Sequence, residues 1–551
     1  MIIPWARLRR EPLAEWPRRA LDALRELGPP AKARPGPQRP VVWPCPLPNV
    51  SAPGGPWRVL GVDRTERRGW FIDPHTGRPL PGDWRQLKGD PKPTWTWLQL
   101  RHLAVDALDP STRDVALHDA CDFLAASTVR RGLAWAFAAD VAARAVSLAL
   151  IAAATGATDL TPALADHAAH LAAHPSQGTS LGNHTAIEAG VLVLLARLLH
   201  DWPDAPTWRR LGHARLSIAL SALVLPDGGP AEASQAYLAL TLEAALLADL
   251  ADPLDDDGAS ALLRGAEFLA SIDGLTGWGD DDDGSLLPGP VTTSVAGAIL
   301  RRAGRPAPPT WRHDLRASLV GAPDGPTWRR PARTFPHAGI GVLGNGPVRV
   351  FASLGAPGLA PFAAHAHHDA GAVWVTLGDR PLVGSLGTGG YADPRRDLQR
   401  LPYAHSTIVP PGVWDRRPDG PFAWSGHAPR ARFRSTPRED VLTWQRAPWT
   451  FERRFRVTST AVSVEDKVDG RAGVDVDVAL WLAPGVAYDR GRLLRDGEPG
   501  ATLTGNWRVE HVQGVLSPRY GLWQEAVRLT TTVRAPGAVL WRLAARKGPT
   551  R

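Results

Sequence analysis

Residues 132–154 read GLAWAFAADVAARAVSLALIAAA. Wound at 3.6 residues per turn, this stretch is apolar around most of its circumference, the pattern of a helix packed among other helices. Working outward, Ala/Leu-rich segments recur at 97–109, 114–127, 160–173, 184–201, 206–224, 230–251, 258–272 and 291–303. Each has apolar spacing near 3.6, and Gly, Pro or Asp clusters separate them. Nine or so antiparallel helices with short links fit a bundle, a solenoid or a closed toroid of hairpins. The absence of a fixed-period repeat argues against a consensus solenoid. Residues 1–95 predict one amphipathic helix at about 13–27, then a Pro/Gly/Trp-rich stretch with little regular structure.

After Pro331 the texture changes. GIGVLGNGPVRVFASL, GAVWVTLGDRPLVGSL, VLTWQRAPWTFERRFRVTSTAVSVEDKV and EAVRLTTTVRAPGAVLWRLA alternate apolar with polar residues and are divided by turn residues. This is the signature of an antiparallel sandwich. The expected organisation is multidomain, α then β: an arm over 1–95, a helical domain over 96–325 and a β-sandwich over 326–551, joined through the Pro/Arg/Gly stretch 304–333.

The chain has 551 residues, 44% hydrophobic and 21% charged, an ordinary globular balance. Two cysteines, Cys45 and Cys121, exclude a disulfide scaffold and a cysteine-built zinc site. A net charge of +8 invites a nucleic-acid partner, but the 63 basic residues are almost all Arg, and no basic block or zinc-finger spacing accompanies them. Arginine does suit paired recognition of carboxylates or sulfates, so an acidic ligand is compatible. No secretory signal and no run of 18 apolar residues is read, which predicts a chain without a membrane span that is cytoplasmic, or periplasmic or secreted if another export route serves it.

Four clusters carry chemistry. Gly182-Asn183-His184 opens a helix and, alone, reads as an N-cap beside an exposed His. In DGGPAEASQAY, 227–237, Pro230 suits a first helical turn, Glu232 lies near its positive end and Tyr237 falls about two turns in. In HAHHDAG, 365–371, strand spacing places His365, His367 and Asp369 on one face and His368 on the other, the residue types of an acid/base or metal centre. RDLQRLPYAHST, 396–407, reads as a charged loop entering a strand. The acidic run 280–283 lacks EF-hand ligand spacing and reads as a solvated turn.

In order, these clusters resemble the heparinase II/III family of polysaccharide lyases. WLQLRH (97–102) is similar to W-x-L-N-R-H, and DVAARAVS (140–147) to E-V-A-x-R-A-I-S. GNHTAIEAG is similar to S-N-N-H-x-x-x-E-A-A-G, and DGGPAEASQAY to D-G-x-x-x-E-Q-S-x-x-Y. GDDDDGSL resembles G-D-x-D-D-G-R-L, HAHHDAG resembles H-G-H-x-D-x-L, and RDLQRLPYAHST resembles R-D-Y-F-R-x-T-A-A-H-N-T. The resemblance implies an incomplete (α/α) toroid followed by an antiparallel β-sandwich. It also implies β-elimination at a uronic acid of an acidic polysaccharide or oligosaccharide. Asn183 with His184 would bind the uronate carboxylate, and Tyr237 and His365 match the acid/base positions: Tyr237 as acid with His365 as partner base, or Tyr237 as both acid and base where the two groups leave from one face of the sugar. Arg144, Glu232, Arg396 and Arg400 are candidate substrate contacts.

No cofactor is required for this chemistry. Some members hold a structural zinc, and the corresponding positions here are His367, Ser385 and His405, with Asp369 as a nearby carboxylate; serine in place of an aspartate is a poor ligand. A uronyl C5-epimerase and a non-catalytic glycan-binding protein are the alternatives on the same scaffold.

Overall fold

The computed structural model describes residues 32–51, 57–60, 62–64, 69–73, 77–82, 86–129, 131–177, 181–287, 292–308, 315–323, 325–326, 328, 331–412 and 416–546. The helix expected at 13–27 lies outside them. The chain forms two compact units. The first comprises Met1–Val224, Leu238–Ala266 and Gly284–Thr327; the second comprises Leu225–Tyr237, Glu267–Asp283 and Trp328–Arg551.

The first unit is helical. It contains α1 (Lys92–Leu98), α2 (Arg101–Leu108), α3 (Arg113–Ala126), α4 (Ala138–Thr155), α5 (Thr161–Ala173), α6 (Asn183–Leu198), α7 (Ala205–Leu223), most of α8 (Gln235–Ala251) and of α9 (Asp256–Ser271), α10 (Thr292–Arg302) and the short α11 (Leu315–Leu319). The segment expected as one helix at 97–109 is two, because Leu100 takes a left-handed φ of 60° between them. Helix α4 is long and apolar enough to cross a membrane, but 72% of it is buried inside the protein. It is a core helix here, and it ends at Gly156 in the left-handed conformation.

Gly190 of α6 lies so close to α8 that a Cβ would sit 2.4 Å from the Ala244 carbonyl oxygen, so only glycine permits this approach. A fully buried ion pair joins Arg316 Nε of α11 to Glu243 Oε1 of α8 at 2.5 Å. Glu243 also accepts the Leu286 and Leu287 amides, and Arg316 also donates to Ser285 and Ser294, so both buried charges have hydrogen-bond partners. The arm at 32–51 belongs to this unit: buried Trp43 donates its indole N–H to the Leu319 carbonyl at 2.8 Å. Cys45 and Cys121 are both free thiols.

The second unit is a sandwich. One sheet contains, in spatial order, Arg508–Leu516, Gln524–Arg534, Asp475–Leu482, Arg380–Gly384, Val373–Leu377, Val348–Ser353, Ile340–Leu343 and Arg333–Phe335, with Ile408–Val409 also paired to Asp475–Leu482. The other contains Arg432–Ser435, Asp440–Arg446, Trp449–Val457, Ala461–Asp469, Gly537–Ala545, Glu498–Thr504, Arg492–Arg495 and Val486–Asp489. Neighbours in both sheets are antiparallel. Alternate residues of Trp449–Val457 are buried, the period-2 pattern read from the sequence. Val350 and Val375 from the first sheet and Leu442, Phe451 and Val464 from the second share one apolar core.

A linear boundary near residue 326 does not describe this unit, which also takes in two stretches of the predicted helical domain. Their attachments give the reason. Asp227 accepts the His337 and Ala338 amides at 2.8 and 3.1 Å. The buried Arg349 guanidinium donates to the carbonyls of Ser271 and Asp273. Phe268 meets Phe335 edge to face at 4.8 Å.

Candidate active site

Three segments of the second unit bring the site together. In the first, helix α8 starts at Gln235, five residues later than Pro230 suggests, because Ala233 takes φ 56° and turns the chain. Ser234 occupies the N-cap geometry: its Oγ accepts the Tyr237 amide at 3.2 Å. Tyr237 is therefore in the first turn of α8 rather than two turns in. The same Oγ donates to the Asp280 carbonyl at 2.6 Å and fixes the second segment, residues 279–283, against the helix start. Gly279, at φ +70°, permits this contact, since a Cβ there would lie 2.1 Å from the Ala233 carbonyl oxygen. The third segment is HAHHDAG. It is an irregular loop rather than the expected strand, and the Asp280 amide donates to the His365 carbonyl at 3.1 Å.

The acidic run is not a solvated turn: Asp280 is fully buried. Its carboxylate receives both terminal nitrogens of Arg396 at 2.5 Å, His367 Nε2 at 2.9 Å and His365 Nδ1 at 3.1 Å. Burial works against a charge there, but Arg396 and the two imidazoles outweigh it and hold the Asp280 carboxyl well below the usual carboxylate range. Asp281 is pushed the other way, to about 7, by burial and by Asp283 beside it.

The His365 ring stacks on the Tyr237 ring with centroids 3.9 Å apart and 26° between planes. Its Nε2 lies 3.9 Å from Glu232 Oε1. Tyr237 is 5% exposed, and its hydroxyl is hydrogen-bonded to that of Tyr391. Burial, then the charges of Asp282 and Asp280, raise the Tyr237 phenol well above its ordinary value, and burial does the same to Tyr391. Both phenols are thus neutral proton carriers near neutral pH. Tyr391 is in turn held by Tyr520, whose hydroxyl accepts the Tyr391 amide at 2.8 Å, and its ring packs on Phe422 at 4.8 Å. Three of the chain's five tyrosines meet in this one chain of contacts. Tyr391 was missed from the sequence; tyrosine scarcity was the available signal.

The structure brings together Tyr237, His365, Glu232 and Arg396. Asn183 and His184 belong to the first unit, at the start of α6. There Gly182 is the N-cap and Asn183 the first helical residue; Asn183 is buried and His184 half-buried, which corrects the cap-and-exposed-His reading. The arginines are not presented to solvent. Arg144 is buried, with Nε directed to His167 Nε2 at 3.0 Å. Arg396 is committed to Asp280. Arg400 donates to Asp397 and to the Gly420 carbonyl, and its guanidinium lies over Trp424. Guanidiniums engaged in this way orient protein groups and are poor candidates for direct ligand contact.

The suggested metal set does not assemble. His367 and His405 have ring centroids 5.3 Å apart, and both His405 ring nitrogens are buried without a hydrogen bond. Burial pulls His405 well below its ordinary value, so it is a neutral imidazole with lone-pair capacity. The third position supplies only the Ser385 hydroxyl, already donated to the Gly277 carbonyl at 2.7 Å. Asp369 is hydrogen-bonded to Ser353, and burial raises it to about 6. Among the described residues no group of three His, Cys, Asp or Glu is placed to hold a metal ion. Two imidazoles and one committed hydroxyl do not fit a resident zinc, which takes four ligands of the Cys, His or carboxylate kind in structural sites.

Comparison with known proteins places this geometry in context. Residues 327–547 match the family model described as heparinase II/III-like, C-terminal. No curated protein matches by sequence. Among solved structures, heparinase III aligns with TM-score 0.60 at 14% identity, over 91% of this chain and 88% of that one. A mutant of a heparan sulfate lyase from Pedobacter heparinus aligns at 0.53 and 16%, over 86% and 79%. The chondroitin AC lyase of Streptomyces coelicolor A3, solved with chondroitin sulphate, aligns at 0.50 and 15%, over 82% and 74%. At these identities the likeness is one of fold: a helical toroid followed by a β-sandwich. Residues 327–547 are thus a heparinase II/III-like C-terminal domain, in a chain that shares the fold of heparinase III.

Proposed function

We propose that the protein is a polysaccharide lyase that cleaves a uronic-acid-containing glycan by β-elimination. The observation that carries this reading is the stack of the Tyr237 phenol on the His365 imidazole at 3.9 Å, a proton donor and a proton acceptor held in contact. The solved proteins of like fold are themselves lyases of acidic glycans by name.

In the proposed reaction the His365 imidazole removes the C5 proton beside the uronate carboxylate. The released electron pair forms the C4–C5 double bond as the C4–O bond breaks, and the departing oxygen takes the Tyr237 proton. The direction of the Tyr237 shift suits the donor role, because the phenol keeps its proton until a stronger base develops beside it. Tyr391, hydrogen-bonded to that phenol, stabilises the phenolate as it forms. The C5 proton is too weakly acidic to leave unless the developing enolate-like charge is stabilised. We assign that task to Asn183, with His184 beside it, on the strength of the sequence resemblance.

The test is a panel of heparan-type, chondroitin-type, alginate-type and bacterial acidic polysaccharides, scored for the ultraviolet absorbance of an unsaturated uronate. A rise in absorbance on at least one substrate is expected. Exchange of the C5 proton in heavy water without absorbance would make the enzyme an epimerase. Binding without either would make it a glycan-binding module.

A further inference from the structure

We propose that Asp280 is the positioning residue of the reaction: it fixes His365 as the tautomer protonated on Nδ1, so that Nε2 is the atom that takes the substrate proton. This inference rests on the lyase reading and adds to it the atom that acts and the residue that makes it act.

Three observations converge on Asp280. First, its Oδ2 lies 3.1 Å from His365 Nδ1, and a carboxylate can only accept, so Nδ1 donates. In a neutral imidazole the nitrogen that does not donate holds the lone pair, and the partner of one nitrogen decides the role of the other. Second, Asp280 cannot change sides. It is fully buried, the bidentate pair with Arg396 and the bond from His367 fix its plane, and Thr388 Oγ1 stands 3.4 Å from Oδ1. Arg396 itself is anchored to the Pro421 carbonyl. Third, the backbone of the same residue sets the donor. The Asp280 carbonyl accepts from Ser234, whose Oγ caps the turn that carries Tyr237, and the Asp280 amide donates to the His365 carbonyl. One residue therefore fixes the register between base and acid: its side chain holds the imidazole and its main chain holds the helix start.

Arg396 takes its place in this scheme as the group that keeps Asp280 charged and oriented, which explains why so buried an arginine lies beside the reacting pair. Glu232, 3.9 Å from Nε2, faces the atom that reacts.

The experiment combines nitrogen-15 NMR of histidine-labelled protein with kinetics of Asp280→Asn. The His365 ring resonances are assigned by their loss in His365→Gln. In the wild type the spectrum is expected to show protonated Nδ1 and unprotonated Nε2 for neutral His365. Asp280→Asn is expected to shift the ring toward the other tautomer. It should lower kcat roughly 10²- to 10⁴-fold, the range for a general base, while KM changes by less than about threefold.

A wild-type His365 protonated on Nε2 overturns the proposal, and so does an Asp280→Asn enzyme with kcat within about threefold of wild type. A variant whose KM rises with kcat unchanged overturns it as well, because Asp280 would then serve binding. Should Asp280→Asn fail to fold, the wild-type spectrum alone decides. The spectrum needs no substrate, so failure of the lyase reading, with no unsaturated product from any glycan, is read separately from failure of the Asp280 assignment.

Discussion

Replacing Tyr237 with Phe removes one oxygen and leaves the ring. The stack on His365 depends on the ring and should survive, as should the N-cap bond from the Tyr237 amide to Ser234. Two things are lost. The departing glycosidic oxygen no longer receives a proton, a role that contributes roughly 10²- to 10⁴-fold in rate. At 1.36 kcal/mol per decade this is about 3–5 kcal/mol of barrier. The Tyr391 hydroxyl also loses its partner in a buried setting, which costs about 1–3 kcal/mol of stability.

The expected phenotype is therefore a folded protein of slightly lower stability that binds its glycan with unchanged affinity and eliminates at least about a hundredfold more slowly. Initial rates from unsaturated-product absorbance, glycan affinity by calorimetry and a urea titration measure the three quantities. A Tyr237→Phe enzyme whose kcat stays within about threefold of wild type would refute the assignment of this phenol as the acid.

Tyr391→Phe keeps the packing against Phe422 but takes away the hydrogen bond to the nascent Tyr237 phenolate; a bond to a charged group is worth about 1.5–3 kcal/mol, so kcat should fall roughly 10- to 100-fold with KM little changed. In the helical unit, burial raises Glu188 to about 7 although Ser176 donates to both its oxygens. The folded state then binds more protons than the unfolded state between about pH 4.5 and pH 7, so this group's contribution to stability falls as pH rises through that window, by up to about 3 kcal/mol. Urea titrations across it should show the decline in the wild type and a shallower one in Glu188→Gln; parallel curves would contradict the shift. Purified protein should carry no stoichiometric zinc by elemental analysis and should keep its melting temperature under chelation, because Ser385 is committed to the Gly277 carbonyl; one zinc per chain, lost with stability on chelation, would contradict that donor set.

Much of the scaffold was legible because burial leaves a period. The 3.6-residue pattern marks α4 and α6, and the alternation in Trp449–Val457 marks a strand with one face on the core. The break at Leu100 was not legible, since a left-handed residue between two apolar runs leaves the spacing unchanged. Tyr237 and His365 were identifiable as candidates and are in contact in the structure, although the fold around each differs from expectation. HAHHDAG has strand-like alternation but forms no strand: Asp280 holds the His365 and His367 rings, the His368 amide goes to the Arg400 carbonyl, and Asp369 and Gly371 bond to Ser353 at the end of the strand Val348–Ser353.

Asp280 was hidden for a general reason. Four consecutive aspartates read as a hydrated turn when charge is weighed alone, and only three-dimensional proximity to Arg396, 116 residues away, reveals the compensation. Tyr391 lies between Gly390 and Ala392 without a periodic pattern, and its significance comes from a partner 154 residues distant. The arginines mislead in the opposite sense: their type suits anionic ligands, yet burial gives them protein partners first.

The central claim is elimination rather than hydrolysis, epimerisation or binding, and the products of a turned-over uronate glycan report on it directly. Mass spectrometry combined with the ultraviolet spectrum of isolated oligosaccharides is the decisive measurement. The account predicts fragments one water lighter than hydrolysis products, each with an absorbing C4–C5 double bond at its new non-reducing end. Fragments that contain the added water and lack that absorbance would contradict it.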